Sequence, residues 1–223
     1  MPFKDYQPFQ QLSKSNQGRE QKKESLYRER DIFEKLSDFW YIPLCEIDDI
    51  QKEHEQIRKD YNQLFKQRKN IPRLEEWEIL AFCVYKHVIT HEYPYEKDDV
   101  LYLFQIRDKT NFLFQIPKLL NIDMKPNFRH FINLFSKDLN LSFKTKEIIF
   151  HICETLRPSY TFFQTKLFTL LIILFCNDVL FHLPSLTILL NRKICSHVYI
   201  KKIMEREISL KSQVKELCLK YME

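Results

Sequence analysis

The sequence predicts an all-α protein, and three observations carry that expectation. Among its 223 residues there is a single glycine, Gly18. From Ser25 onward apolar residues recur at helical spacings through most of the chain. Prolines, among them Pro43, Pro72, Pro94 and Pro184, stand at the ends of those stretches, where a helix tolerates them least inside and best outside. A chain without glycine makes poor tight hairpins, whereas helices lose nothing by its absence.

The elements follow in order. Residues 1–24 read as a flexible leader of Gln, Lys and Ser with isolated aromatics. Leu26, Ile32, Phe33, Leu36, Phe39 and Trp40 form the stripe of a first helix, ended by Pro43. A charged helix follows from Glu46, with Ile47, Ile50, Ile57, Tyr61, Leu64 and Phe65 on one face and Pro72 after it. LEEWEILAFCVYKHVITHEY is apolar nearly all round, so it is expected to be a central helix, ended by Pro94. DDVLYLF opens a fourth helix, with Asp98 or Asp99 placed to cap it. NFLFQIPKLL supplies a fifth, and Pro117 to Pro126 reads as a connector.

After the connector the order recurs. FRHFINLFSKDLNLS, FKTKEIIFHICETL, the apolar SYTFFQTKLFTLLIILFCNDVLFHL, SLTILLNRK and CSHVYIKKIMERE match the five preceding elements at an offset of roughly 90–100 residues, the mark of a duplicated unit. The resulting division is a leader over 1–24, one repeat over 25–120, a second over 121–207 and a C-terminal helical extension over 208–223.

Glycine scarcity also bounds the chemistry. A P-loop, a dinucleotide fingerprint, a kinase-type glycine loop and a G-x-S-x-G elbow all need glycine's positive φ or its close backbone approach, and none is present. No spacing of histidines, cysteines and carboxylates assembles a nucleophile, a base and an oxyanion hole. The expectation is a protein without catalytic residues, cofactor, metal or small-molecule substrate. Six cysteines lie scattered without a C-x-x-C pair, mostly among apolar residues, and the N-terminus is polar. They read as reduced core residues of an intracellular protein. The most apolar run, Leu167 to Cys176, is ten residues long, half of what a bilayer requires, so it is a buried helix and no membrane partner is expected.

Two tandem five-helix units, each with a near-apolar third helix closed by a proline, resemble the cyclin-fold family over about Arg28 to Glu207. The second half, FINLFSKDLNLSFKTKEIIFHICE and the sequence after it, is most similar to the two-repeat core of transcription factor IIB-like proteins. LAFCVYKHVITHEYPYEKDDVLYLF also resembles the corner between third and fourth helices of kinase-binding cyclins. Three features depart from those patterns. Leu, Phe and Ile replace the alanines of the central helix, no zinc ribbon precedes the repeats, and the M-R-x-I-L substrate patch is missing.

Two candidate surfaces follow. His87 and His91 share a helical face with Glu92 beside them, but the glutamate of a metalloprotease helix is not between them and no further ligand is indicated. The pair reads as a helix-end corner, and the resemblance implies a partner-facing one, with His87, His91, Glu92, Tyr93 and Tyr95 as contacts. His91 and Glu92 stand where kinase-binding cyclins carry two acidic residues.

The other candidate is basic. From Asn191 to Ile203, Arg192, Lys193, Lys201 and Lys202 occur with His197 and no acidic residue, and Ser196 is placed to cap the second of two helices joined at Asn191. The resemblance implies contact with DNA here. Lys125, Arg129, Lys137, Lys144 and Lys146 extend the basic surface, while EIDDIQKEHE makes the first repeat locally acidic. The net charge of +5 permits a nucleic-acid partner without requiring one.

The expected function is a non-catalytic adaptor subunit of a nuclear complex that acts on nucleic acid. That complex is a transcription assembly or a DNA-modifying enzyme such as a DNA adenine methyltransferase. Its partners would be protein subunits and, through the basic face, DNA. The alternatives are a divergent cyclin that binds and activates a protein kinase, and a purely structural interaction protein.

Overall fold

The computed structural model describes residues 30–68, 71–106, 110–181 and 197–222. These are helical throughout, with no strand among the described residues. In chain order the helices are α1 (30–38), α2 (Leu44–Gln67), α3 (Glu76–Thr90), α4 (Lys97–Leu103), α5 (Phe112–Leu120), α6 (Phe128–Leu139), α7 (Phe143–Leu156), α8 (Thr165–Cys176), α9 (His197–Arg206) and α10 (Ile208–Met222). A 3-10 turn at Arg157–Ser159 follows α7, and a π-helical segment at Asn177–Phe181 follows α8. The leader, the SLTILLNRK helix, Arg192, Lys193 and Ser196 lie outside the described residues.

The chain forms two compact units. One holds the described residues up to Cys83 together with Leu101–Leu120. The other holds Val84–Val100 with the described residues from Asn121 on. Sequence periodicity assigned 84–100 to the first repeat. By its contacts this stretch belongs with the second unit, for reasons that lie in its hydrogen bonds.

In the first unit Leu36, Ile42, Ile47, Ile50, Ile57, Tyr61, Phe82 and Ile116 are buried, and α2 packs on α5. α1 ends before Phe39, so Phe39 leaves the stripe assigned to it and is exposed. Phe65 is exposed as well. α5 runs through Pro117 to Leu120, as the stretch NFLFQIPKLL predicts, so the connector begins after Leu120 rather than at Pro117. Burial of Phe112, Leu113 and Ile116 on one face holds the helix across the missing amide hydrogen bond.

In the second unit α8 is the axis. Every residue from Phe168 to Cys176 is buried, as an all-round apolar sequence requires. α6, α7 and α10 all pack on it. At about 1.5–3 kcal/mol for each large side chain removed from water, this helix supplies much of the unit's cohesion. The expected C-terminal extension is part of the same core: Leu210, Val214 and Cys218 of α10 are fully buried, and the sulfurs of Cys218 and Cys176 lie 3.5 Å apart. Asn127 caps α6 by accepting from the His130 N–H at 2.9 Å, and Ser142 caps α7 by accepting from Thr145 at 3.2 Å.

With no glycine after Gly18, left-handed positions fall to other residues. Asn121 and Asn140 take two of them, which their side chains tolerate. Among the described residues Tyr41, Glu92 and Gln105 take others, at φ 55, 59 and 58.

Candidate functional site

The corner after α3 is built by the end of a helix without glycine. The Tyr93 N–H donates to the Val88 carbonyl at 2.9 Å and the Glu92 N–H to Ile89 at 3.2 Å, a paired closure that needs a left-handed residue between them. Glu92 fills that place. α4 then starts from Glu96, whose N–H donates to the Asp99 carboxylate at 2.7 Å. The capping residue is therefore Asp99, reaching back from the first turn.

This corner is fastened to α6 and α8. Asn127 Nδ2 donates to the Glu92 carboxylate at 2.7 Å, and Asn133 Nδ2 to the Glu92 carbonyl at 3.0 Å. Lys166 pairs with Glu96 at 2.7 Å, and the Lys137 ammonium sits 4.4 Å from the centre of the Tyr95 ring. His130 is buried and hydrogen-bonds the Tyr93 backbone. Burial, then the Lys166 charge, pull its imidazole down to about 4 against that bond. Burial first, then the Glu96 and Asp98 carboxylates, push the Tyr85 phenol up to about 12.

Of the five residues expected to face a partner here, most are engaged within the unit. His87 and Tyr95 are buried, which corrects the expectation that the histidines share an exposed helix end. The His87 ring stacks on that of His91 with centroids 3.9 Å apart, and His91 Nδ1 lies 3.1 Å from the His87 carbonyl. Glu92 and Tyr93 are half-buried, and only His91 is exposed. Asn127, His130, Asn133 and Lys166, which hold the corner, were not singled out from the sequence. Their signal is nonlocal: they lie 35 to 70 residues from the groups they bond.

The basic candidates divide differently. On α9, Ile200 and Ile203 face the core, while Lys201 and Lys202 are exposed beside Val198 and Tyr199, at 64 and 51%. His197 begins this helix. Lys144 is exposed in the first turn of α7. Most of the wider basic patch has partners within the unit. Arg129 makes a two-point ion pair with Glu147 at 2.5 and 3.0 Å and lies over the Phe150 ring. Lys146 is half-buried and reaches Asn133 at 3.5 Å, and Lys125 pairs with Asp123 at 3.4 Å. The Arg129 and Lys146 contacts join α6 to α7, whereas the Lys125 pair is local and exposed.

A cavity of about 370 Å³ lies in the first unit, lined by Arg58, Tyr61, Asn62, Phe65 and Arg73 among others. Arg58 is paired there with Glu76, and the Tyr61 hydroxyl donates to the Pro72 carbonyl, so the wall is braced from within.

In comparisons with known proteins, no family model, no curated protein and no solved structure matches the chain. Among the described residues no helix is long and apolar enough to cross a membrane.

Proposed function

We propose that the chain is a non-catalytic, cyclin-like adaptor subunit of a nuclear complex that acts on nucleic acid. The complex is a transcription assembly or a DNA-modifying enzyme such as a DNA adenine methyltransferase. The adaptor scaffolds protein subunits, and Lys201 and Lys202 contribute a DNA contact. The observation that carries this reading is the second unit: α8, buried on all sides, is wrapped by α6, α7 and α10, and α9 turns Lys201 and Lys202 to solvent. A fully apolar axis inside a helical cage is the arrangement that the resemblance to the cyclin fold leads one to expect.

Basic side chains on one helix face bind phosphates with a salt dependence of about 0.9 in log–log slope per contact. Lys201→Glu with Lys202→Glu should therefore weaken binding of duplex DNA, by the chain or its complex, and flatten the salt slope by about 1–2. Unchanged binding removes the DNA contact from the proposal. Partners co-purified with and without nuclease, identified by mass spectrometry, test the rest. A polymerase or nucleic-acid-modifying enzyme retained after nuclease supports the adaptor. A stoichiometric kinase replaces it with the divergent cyclin, although the internal bonding of Glu92 and the burial of Tyr95 speak against kinase docking at that corner.

A further inference from the structure

The link between α1 and α2 turns large apolar side chains outward in a fixed conformation. Phe39, Tyr41 and Leu44 are 71, 81 and 71% exposed within six residues of chain. Ile42 between them is buried, and its N–H donates to the Leu36 carbonyl at 3.0 Å. The link is anchored at its centre, so what it displays is held on display. Tyr41 also stands at φ 55, a left-handed conformation that costs a bulky residue about 1–2 kcal/mol. Strain kept in an ordered segment, at a side chain that contributes little to the core, points to a task for that side chain.

The rim gives the sign of the partner. Asp38 precedes the apolar cluster and Asp48 follows it in the first turns of α2, both exposed. The cations nearest in sequence are drawn into ion pairs, Lys35 with Asp31 at 2.6 Å and Lys52 with Asp49 at 2.9 Å. A locally acidic rim on a chain of net charge +5 repels nucleic acid and anionic lipid and attracts a cationic polypeptide. Exposed apolar clusters with charged rims are the usual anatomy of protein docking sites.

We propose that the α1–α2 link docks a basic, apolar-faced segment of a partner protein. Tyr41 and Leu44 would be the anchors, and Asp38 and Asp48 would steer the partner's lysines and arginines. This names a surface and a partner class for the adaptor, and so rests on that reading. Its test below needs no natural partner, so the two can fail separately.

The probe is a short amphipathic Leu/Lys helical peptide carrying a fluorophore, titrated with the full chain, with a Leu/Glu peptide of the same pattern as control. Wild-type protein should bind the Leu/Lys peptide and not the Leu/Glu peptide. Tyr41→Asn with Leu44→Gln should weaken binding at least about tenfold, as loss of two anchors does. Asparagine accepts the left-handed backbone, so this variant keeps the link folded. Asp38→Asn with Asp48→Asn should weaken binding about threefold and remove most of its salt dependence. Alkylation of the exposed Cys45 should slow when the peptide is bound. Four results overturn the proposal. They are no binding by wild type, equal binding by the Tyr41→Asn/Leu44→Gln variant, Tyr41-dependent binding to phosphatidylserine vesicles, and Tyr41-dependent self-association in sedimentation. The last two would assign the surface to a membrane or to a second copy of the chain.

Discussion

Asn133 donates a hydrogen bond from its side chain to the backbone carbonyl of Glu92 at 3.0 Å, across 41 residues of sequence. Glu92 is the left-handed residue that closes α3, so the bond falls where the backbone is most costly to hold. Asn127, six residues earlier on the same side of the corner, bonds the Glu92 carboxylate while its oxygen caps α6. Two asparagines thus fix one strained turn, and that turn fixes the register of Val84–Val100 within the second unit.

Removing those bonds should loosen the turn. Asn133→Ala is expected to cost about 1–2 kcal/mol, since it leaves the Glu92 carbonyl without its side-chain donor. Asn127→Ala should cost a similar amount through loss of the cap. Asn127→Asp separates the two roles: it keeps a capping oxygen but sets a carboxylate against Glu92. Urea denaturation gives the totals, and amide hydrogen exchange shows whether 91–99 opens first. If Asn127→Asp matches wild type, the Glu92 contact contributes nothing.

His130 makes stability depend on pH. Its folded value, about 4, lies below the ordinary imidazole value of 6.5. The unfolded chain therefore takes up the proton first as pH falls. The contribution is fully present above pH 6.5 and is lost progressively between 6.5 and 4, reaching roughly 3 kcal/mol at most. Unfolding free energies measured across this window should fall with acidification. In His130→Leu that slope should be shallower, whatever the variant's absolute stability. An unchanged slope would mean that other groups carry the acid sensitivity.

How far the sequence reaches is clear from individual residues. Helices were legible because periodicity and proline are local signals: α3, α6, α7 and α8 fall on their apolar stretches. The buried axis was legible because nine consecutive residues, Phe168 to Cys176, carry no charge. The corner was recognised as a corner, but its partners were not, because Asn133 and Lys166 look like ordinary helix-surface residues until the fold brings them to Glu92 and Glu96. Arg129 and Lys146 counted as free cations in a one-dimensional tally, which cannot register that Glu147 and Asn133 sit opposite them. Pro117 was read both inside the fifth helix and at the start of the connector, and burial of Phe112, Leu113 and Ile116 decides for the helix.

Cysteine reactivity should separate the surface from the core. Cys45 is exposed, while Cys83, Cys153, Cys176 and Cys218 are buried. Burial raises the Cys153 thiol far above its usual range. The hydrogen bond between Cys176 and Cys218 raises the first and lowers the second. A thiolate is the reactive form, but it must also meet the reagent. Brief treatment of native protein with iodoacetamide, read by peptide mapping, should modify Cys45 and leave these four intact until denaturant is added. Early labelling of Cys218 would show that α10 leaves α8 readily.

Gln105 offers the sharpest test of how this chain ends its helices. It closes α4 at φ 58, with its N–H on the Tyr102 carbonyl at 3.0 Å and that of Ile106 on Leu101 at 2.8 Å. Its side chain is exposed, so replacing it removes no buried contact. Glycine takes this conformation without the Cβ clash, which is worth about 1–2 kcal/mol, and returns part of that through the greater freedom of the unfolded chain. Gln105→Gly should accordingly stabilise the protein by roughly 0.5–1 kcal/mol, seen as a higher urea midpoint at unchanged slope. Gln105→Ala, which keeps the clash, should not. A loss of stability in the glycine variant would mean that the glutamine side chain, rather than the backbone angle, is what this turn requires.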